Sequence, residues 1–95
     1  MSYVYLLHFD RPYPGGRHPQ HYLGVARNVE ARLREHTAGS SKSRLTRACK
    51  EKGIPVALAR QWGFGRPGRA FDFERKVKAK KRSYARICPY CREGA

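Results

Sequence analysis

The stretch Tyr22-Leu23-Gly24-Val25-Ala26-Arg27-Asn28-Val29-Glu30-Ala31-Arg32-Leu33-Arg34-Glu35-His36 carries side chains suited to phosphodiester chemistry. It reads as a strand, a turn at Arg27-Asn28 and a helix. Arg32 and His36 are one helical turn apart and share a face, and Tyr22 closes the unit from the strand side. Hydrolysis of a phosphodiester needs an attacking water, charge stabilisation on the phosphoryl oxygens and help for the leaving oxygen. Arg32 can hold phosphate oxygens with its planar fork, and an imidazole at position 36 can relay a proton. Tyr3-Val4-Tyr5-Leu6-Leu7 brings a further tyrosine on an earlier strand, and Glu74 brings a carboxylate on a later helix. An ordinary phenol titrates near ~10, so a tyrosinate base needs cations close by. Either Tyr5 or Tyr22 could orient or deprotonate the water. Either could instead be a core aromatic whose hydroxyl finds a partner.

Those residues need a scaffold. Tyr3 to Phe9 is rich in β-formers and reads as a strand, followed by a loop with Pro12, Pro14, Gly15, Gly16 and Pro19. Gln20 to Ala26 reads as a second strand, antiparallel to the first. Asn28 caps a helix over Val29 to Thr37 that stops near Gly39. Ser40 to Ser43 is a polar link that caps a helix over Leu45 to Lys52, with Leu45, Ala48 and Cys49 inward and Gly53 closing it. Pro55 to Phe64 is a third strand. Arg69 to Arg82 is a third helix with Phe71, Val77 and Phe73 facing the core, and Ser83 caps a last short turn. The order β-β-α-α-β-α predicts an α+β domain: a small, mostly antiparallel three-stranded sheet flanked by three or more helices. Residues 1–87 form this domain and 88–95 a short tail.

The chain holds 21 Lys+Arg against 7 Asp+Glu, a formal net charge of +14 over 95 residues. Self-repulsion of that size points to an anionic partner, and DNA is the leading one. Arg27, Lys42, Arg44, Lys78, Lys80 and Lys81 are the candidate phosphate contacts, the last three in a basic run following Glu74. The apolar runs are too short to span a membrane. No secretory leader is expected, and 3 cysteines do not make a disulfide framework, so the expected location is the cytoplasm, in association with the nucleoid. Cys88 and Cys91 are half of a zinc site, which His18 and His21 could complete. The favoured expectation is free thiols in a frayed tail, without zinc.

In motif order the chain resembles the GIY-YIG nuclease family. Tyr3-Val4-Tyr5 stands at the first family tripeptide and Tyr22-Leu23-Gly24 at the second. Arg32 matches the helix arginine, His36 the histidine one turn on, and Glu74 the metal-binding glutamate; the likeness spans roughly residues 3 to 82. It implies a divalent-metal-dependent DNA endonuclease, possible selectivity for DNA structure, and a catalytic set of Tyr5, Tyr22, Arg32, His36 and Glu74. Glu74 would hold Mg²⁺ or Mn²⁺, and a protein partner could supply targeting. The rival expectations are a nucleic-acid-binding module without turnover, and a zinc-stabilised interaction domain. Glu74 could also simply pair with Lys78 along the helix.

Overall fold

A computed structural model describes residues 1–16, 19–80 and 84–93. The expected α+β architecture is present. Strands β1 (Ser2–Phe9) and β2 (His21–Ala26) are followed by helices α1 (Val29–Ala38) and α2 (Arg44–Glu51). Strand β3 (Val56–Phe64), helix α3 (Pro67–Ala79) and two short helices, α4 (Tyr84–Ile87) and α5 (Pro89–Glu93), complete the order. The sheet is antiparallel throughout, in the order β2-β1-β3.

The central strand explains the layering. Side chains alternate across a strand, yet β1 is buried on both faces. Tyr5, Leu7 and Phe9 join one apolar cluster with Val29 and Leu33 of α1, Leu45 and Cys49 of α2, and Ile54. Val4 and Leu6 join a second cluster with Ala70, Phe73 and Val77 of α3, Tyr84 and Ile87 of α4, and Cys88 and Cys91. The sheet is therefore sandwiched between α1–α2 and α3–α5.

A bulge lets β3 serve both clusters. Leu6 pairs with Arg60 but Leu7 pairs with Leu58, so Ala59 is the extra residue. One inserted residue reverses the alternation beyond it. Val56 and Leu58 thus pack on the first cluster, while Trp62 and Phe64 pack on the second.

The helix ends follow their capping residues. Asn28 accepts a hydrogen bond from the Ala31 N–H at 3.0 Å. Gly39, at φ 76°, ends α1 in the left-handed region, where its N–H donates to His36 O and the Ser40 N–H to Glu35 O. Ser43 caps α2. Helix α3 starts at Pro67, earlier than Arg69, because proline fits the first helical position, where no intrahelical donor is needed. It ends at Ala79; Lys81, Arg82 and Ser83 lie outside the described residues.

Phe71 departs from expectation. It is 51% exposed rather than inward. The buried stripe of α3 runs through Ala70, Phe73 and Val77, the spacing of one helix face. Phe71 follows Ala70 by one residue, about 100° around the axis, and so points away from that stripe.

Candidate functional site

Tyr5, Tyr22, Arg32, His36 and Glu74 line one cleft of about 230 Å³, together with Gly24, Ser41, Lys42, Ser43 and Phe71. Tyr5 faces the α1–α2 side of β1, and Tyr22 lies on the neighbouring strand with its ring centroid 6.2 Å away. Helix α1 supplies Arg32 and His36, and α3 brings Glu74 to the same opening. Register explains the fit of strand to strand. Tyr5 pairs across the ladder with Gly24, and a Cβ on Gly24 would lie 2.6 Å from Tyr5 Cζ and Oη. Only glycine leaves room for the phenol to lie across β2.

His36 is 3% exposed. Its Nε2 lies 2.8 Å from Tyr5 Oη and its Nδ1 lies 2.9 Å from Thr46 Oγ1. Thr46 Oγ1 in turn donates to Ser43 O at 3.3 Å and contacts Ser41 Oγ at 2.8 Å. One assignment of protons satisfies every group. The Thr46 hydroxyl spends its hydrogen on Ser43 O, so it accepts from the His36 Nδ1–H and from Ser41. His36 Nε2 is then a bare acceptor for the Tyr5 hydroxyl. No buried polar side-chain atom among the described residues lacks a partner.

The electrostatics keep both partners neutral. Burial raises the Tyr5 phenol well above its ordinary value, Tyr22 adds to the rise, and Arg32 opposes it. Burial lowers His36, with Glu35 opposing and Arg32 reinforcing. In this tautomer the pair is a neutral phenol donating to a neutral imidazole.

Arg32 Nη1 contacts Glu35 Oε2 at 3.2 Å, with both side chains about half exposed at 47% and 45%. Such a pair contributes little to stability and can yield to a phosphate. Glu74 Oε2 lies 3.5 Å from Lys78 Nζ, the helical pairing weighed above. Lys42 lines the cleft. Arg27, Arg44, Lys78 and Lys80 are exposed, and Lys81 lies outside the described residues.

The cofactor expectation needs correction. Mg²⁺ or Mn²⁺ was expected on Glu74, with zinc set aside. The metal-competent group among the described residues is instead His8, His21, Cys88 and Cys91, whose ligand atoms all lie within 4.8 Å of one another. Nitrogen and sulfur donors suit zinc, whereas Mg²⁺ and Mn²⁺ favour oxygen. Glu74 shares its carboxylate with Lys78 and belongs to no such group.

Two details of the zinc candidates also change. His18 lies outside the described residues, and His8 completes the group. Cys88 is not in a frayed tail: it is fully buried in the second apolar cluster.

Sequence reasoning missed Thr46, Phe71 and His8. Nothing in its residue type marks Thr46. His8 carried a signal, because an antiparallel pairing of the first two strands can set two histidines opposite each other. His8 and His21 do pair in register. No family model, curated protein or solved structure matches this chain.

Proposed function

We propose that this chain hydrolyses phosphodiester bonds of DNA at the Tyr5–His36 cleft, the activity its resemblance to the GIY-YIG nucleases implies. The observation that carries the reading is that Tyr5 and Glu74, from distant parts of the sequence, line the same opening as Tyr22, Arg32 and His36. In this reading Arg32 holds the scissile phosphate and neutralises charge on its oxygens as the attack proceeds. The attacking water gives its proton to Tyr5 Oη while Tyr5 passes its own to His36 Nε2, along the 2.8 Å contact; as the new P–O bond forms, the bond to the leaving oxygen breaks, that oxygen takes a proton from solvent, and His36 afterwards returns its proton to solvent. No free tyrosinate forms, and the positive charge that appears on His36 faces the negative charge developing at the phosphate. Thr46 holds the imidazole in the accepting tautomer. Tyr22 and the Glu74 carboxylate orient the water.

The net charge of +14 supports a polyanionic substrate. Lys42 at the cleft, with Arg27, Arg44, Lys78 and Lys80, would follow the backbone, and exposed Phe71 would stack on a base displaced from its helix. That contact favours DNA with unpaired or distorted segments. A separate protein would direct the domain to its site, and action at the nucleoid in the cytoplasm follows from the substrate. No described helix is long and apolar enough to cross a membrane.

The test is incubation of the untagged chain with duplex, nicked, flap and single-stranded DNA across a panel of divalent cations. Cleavage that is lost in Tyr5→Phe and Arg32→Ala, with DNA binding retained, is the expected result. Binding without cleavage on every substrate would leave a nucleic-acid-binding module and overturn the hydrolase.

A further inference from the structure

On the sheet face opposite Tyr5, four potential ligands converge. His8 and His21 sit opposite each other at the far end of the β1–β2 pair. His8 shares the strand parity of Val4 and Leu6, and so projects toward the α3–α5 side. There α4 and α5 deliver Cys88-Pro89-Tyr90-Cys91 against them. His8 Nδ1 and His21 Nε2 are 3.4 Å apart. Cys88 Sγ lies 3.5 Å from His8 Nδ1, and Cys91 Sγ lies 3.7 Å from His8 Nδ1 and 3.3 Å from His21 Nε2.

These four separations match four of the six edges of a tetrahedron to within about 0.2 Å, and all four ligand atoms lie within 4.8 Å of one another. Zn–N distances of about 2.0–2.1 Å and Zn–S distances of about 2.3 Å set edges of about 3.3–3.4 Å between nitrogens and about 3.5–3.6 Å between nitrogen and sulfur. We propose that His8 Nδ1, His21 Nε2, Cys88 Sγ and Cys91 Sγ bind one zinc ion that fastens the C-terminal helices to the β1–β2 strands.

Several observations support it independently. The donor set, two imidazoles and two thiols, is one that tetrahedral zinc takes in structural sites. Two thiolates offset the charge of the ion, so the loaded site adds no net charge to an already basic chain. The imidazoles are held by rings from the same helices. Tyr90 stacks on His8 with centroids 5.2 Å apart and planes 23° apart, and Tyr84 meets His21 edge-on at 6.0 Å. Cys88 is fully buried and the cysteines are free thiols, so the pair is placed for a ligand rather than spent on a disulfide.

Four protein ligands leave no open position for water, which makes the ion structural. Its place across the sheet from Tyr5 and His36 separates it from the cleft. It joins residues 80 or more positions apart, for example His8 and Cys88. It thereby replaces apolar area that α4 and α5, at four and five residues, are too short to bury alone.

The experiment uses the full untagged chain, purified without chelator and then exchanged to Co²⁺. One zinc per chain by elemental analysis is expected, together with sulfur-to-cobalt charge transfer and tetrahedral d–d bands in the cobalt form. Cys91→Ser, at the more exposed thiol, should lose most of the bound zinc and melt at a clearly lower temperature. The proposal falls if the wild-type chain takes up no zinc, if mass spectrometry shows a Cys88–Cys91 disulfide in its place, or if a folded Cys91→Ser keeps full zinc. Should Cys91→Ser fail to fold, the wild-type cobalt spectrum decides: bands without sulfur charge transfer would overturn the site. None of these readouts involves DNA.

Discussion

Tyr5 lies across the backbone of Gly24, so close that a methyl group there would sit 2.6 Å from the phenol's Cζ and Oη. Tyr5 is 2% exposed and contacts His36 at its hydroxyl, so it has little room to swing away. Gly24→Ala should therefore destabilise the fold by about 1–3 kcal/mol, the range for overpacking, and break the Tyr5–His36 contact. Shrinking the ring should relieve the clash: Tyr5→Val with Gly24→Ala should cost less than the sum of the single variants. Denaturant unfolding of the four proteins checks this, and additive costs would show that the two residues do not press on each other.

Thr46 tests the buried hydrogen-bond chain behind His36 without reference to activity. Thr46→Val keeps the shape but leaves the His36 Nδ1–H without its acceptor in a buried position. The expected loss is about 1–3 kcal/mol. Thr46→Ser retains the hydroxyl and should stay closer to wild type. Equal stability of the valine and wild-type proteins would mean that His36 Nδ1 does not depend on the Thr46 hydroxyl for a partner.

The same histidine predicts a pH dependence. Burial lowers the folded value of His36 below the ordinary 6.5, so in acid the unfolded chain binds the proton first. Its contribution is complete above about pH 6.5 and is lost as the pH falls toward the depressed folded value. Melting temperatures measured from pH 7.5 to 5 should fall more steeply for wild type than for His36→Gln. His8 and His21 are common to both proteins, so the difference isolates position 36. Parallel curves would contradict a neutral, buried His36.

Much of this was legible in the sequence, for identifiable reasons. Asn28, Gly39 and Ser43 are local signals, and each marks a helix end where capping chemistry predicts one. Tyr22, Arg32 and His36 were within one supersecondary unit, so their meeting needed only a strand and a helix. Phe71 was misread because apolar character was taken for inwardness, whereas the stripe of α3 is set by Ala70, Phe73 and Val77. The zinc candidates were misread for a different reason. Cys88 meets His8 across 80 positions, and that approach depends on how α4 and α5 dock, which no local pattern in the chain encodes. Thr46 is a buried hydrogen-bond partner for the same reason: its role exists only once α1 and α2 are packed.

At Arg32 the proposed phosphate contact can be tested apart from folding. Its contact to Glu35 is exposed, so Arg32→Ala should change stability by no more than about 0.5 kcal/mol. If it stabilises charge on the transferring phosphoryl group, the cleavage rate should drop on the order of 10²–10³-fold. Arg32→Lys should rescue poorly, because an ammonium lacks the planar two-point contact. A lysine variant as active as wild type would reduce Arg32 to a general positive charge.

Phe71 and Lys42 both line the cleft, and they should fail in different ways. Phe71→Ala removes an exposed, uncharged ring, so it should weaken binding to single-stranded or flapped DNA by about 1–3 kcal/mol per stacked base and affect intact duplex much less. The slope of log K against log salt should not change, since that slope counts neutralised phosphates. Lys42→Gln should do the reverse, weakening all DNA alike and making the slope shallower by roughly one phosphate's share. Fluorescence anisotropy titrations at several salt concentrations resolve both quantities. A Phe71→Ala protein that binds flapped DNA as tightly as wild type would remove the ring from the substrate path, and with it the reason for preferring distorted DNA over duplex.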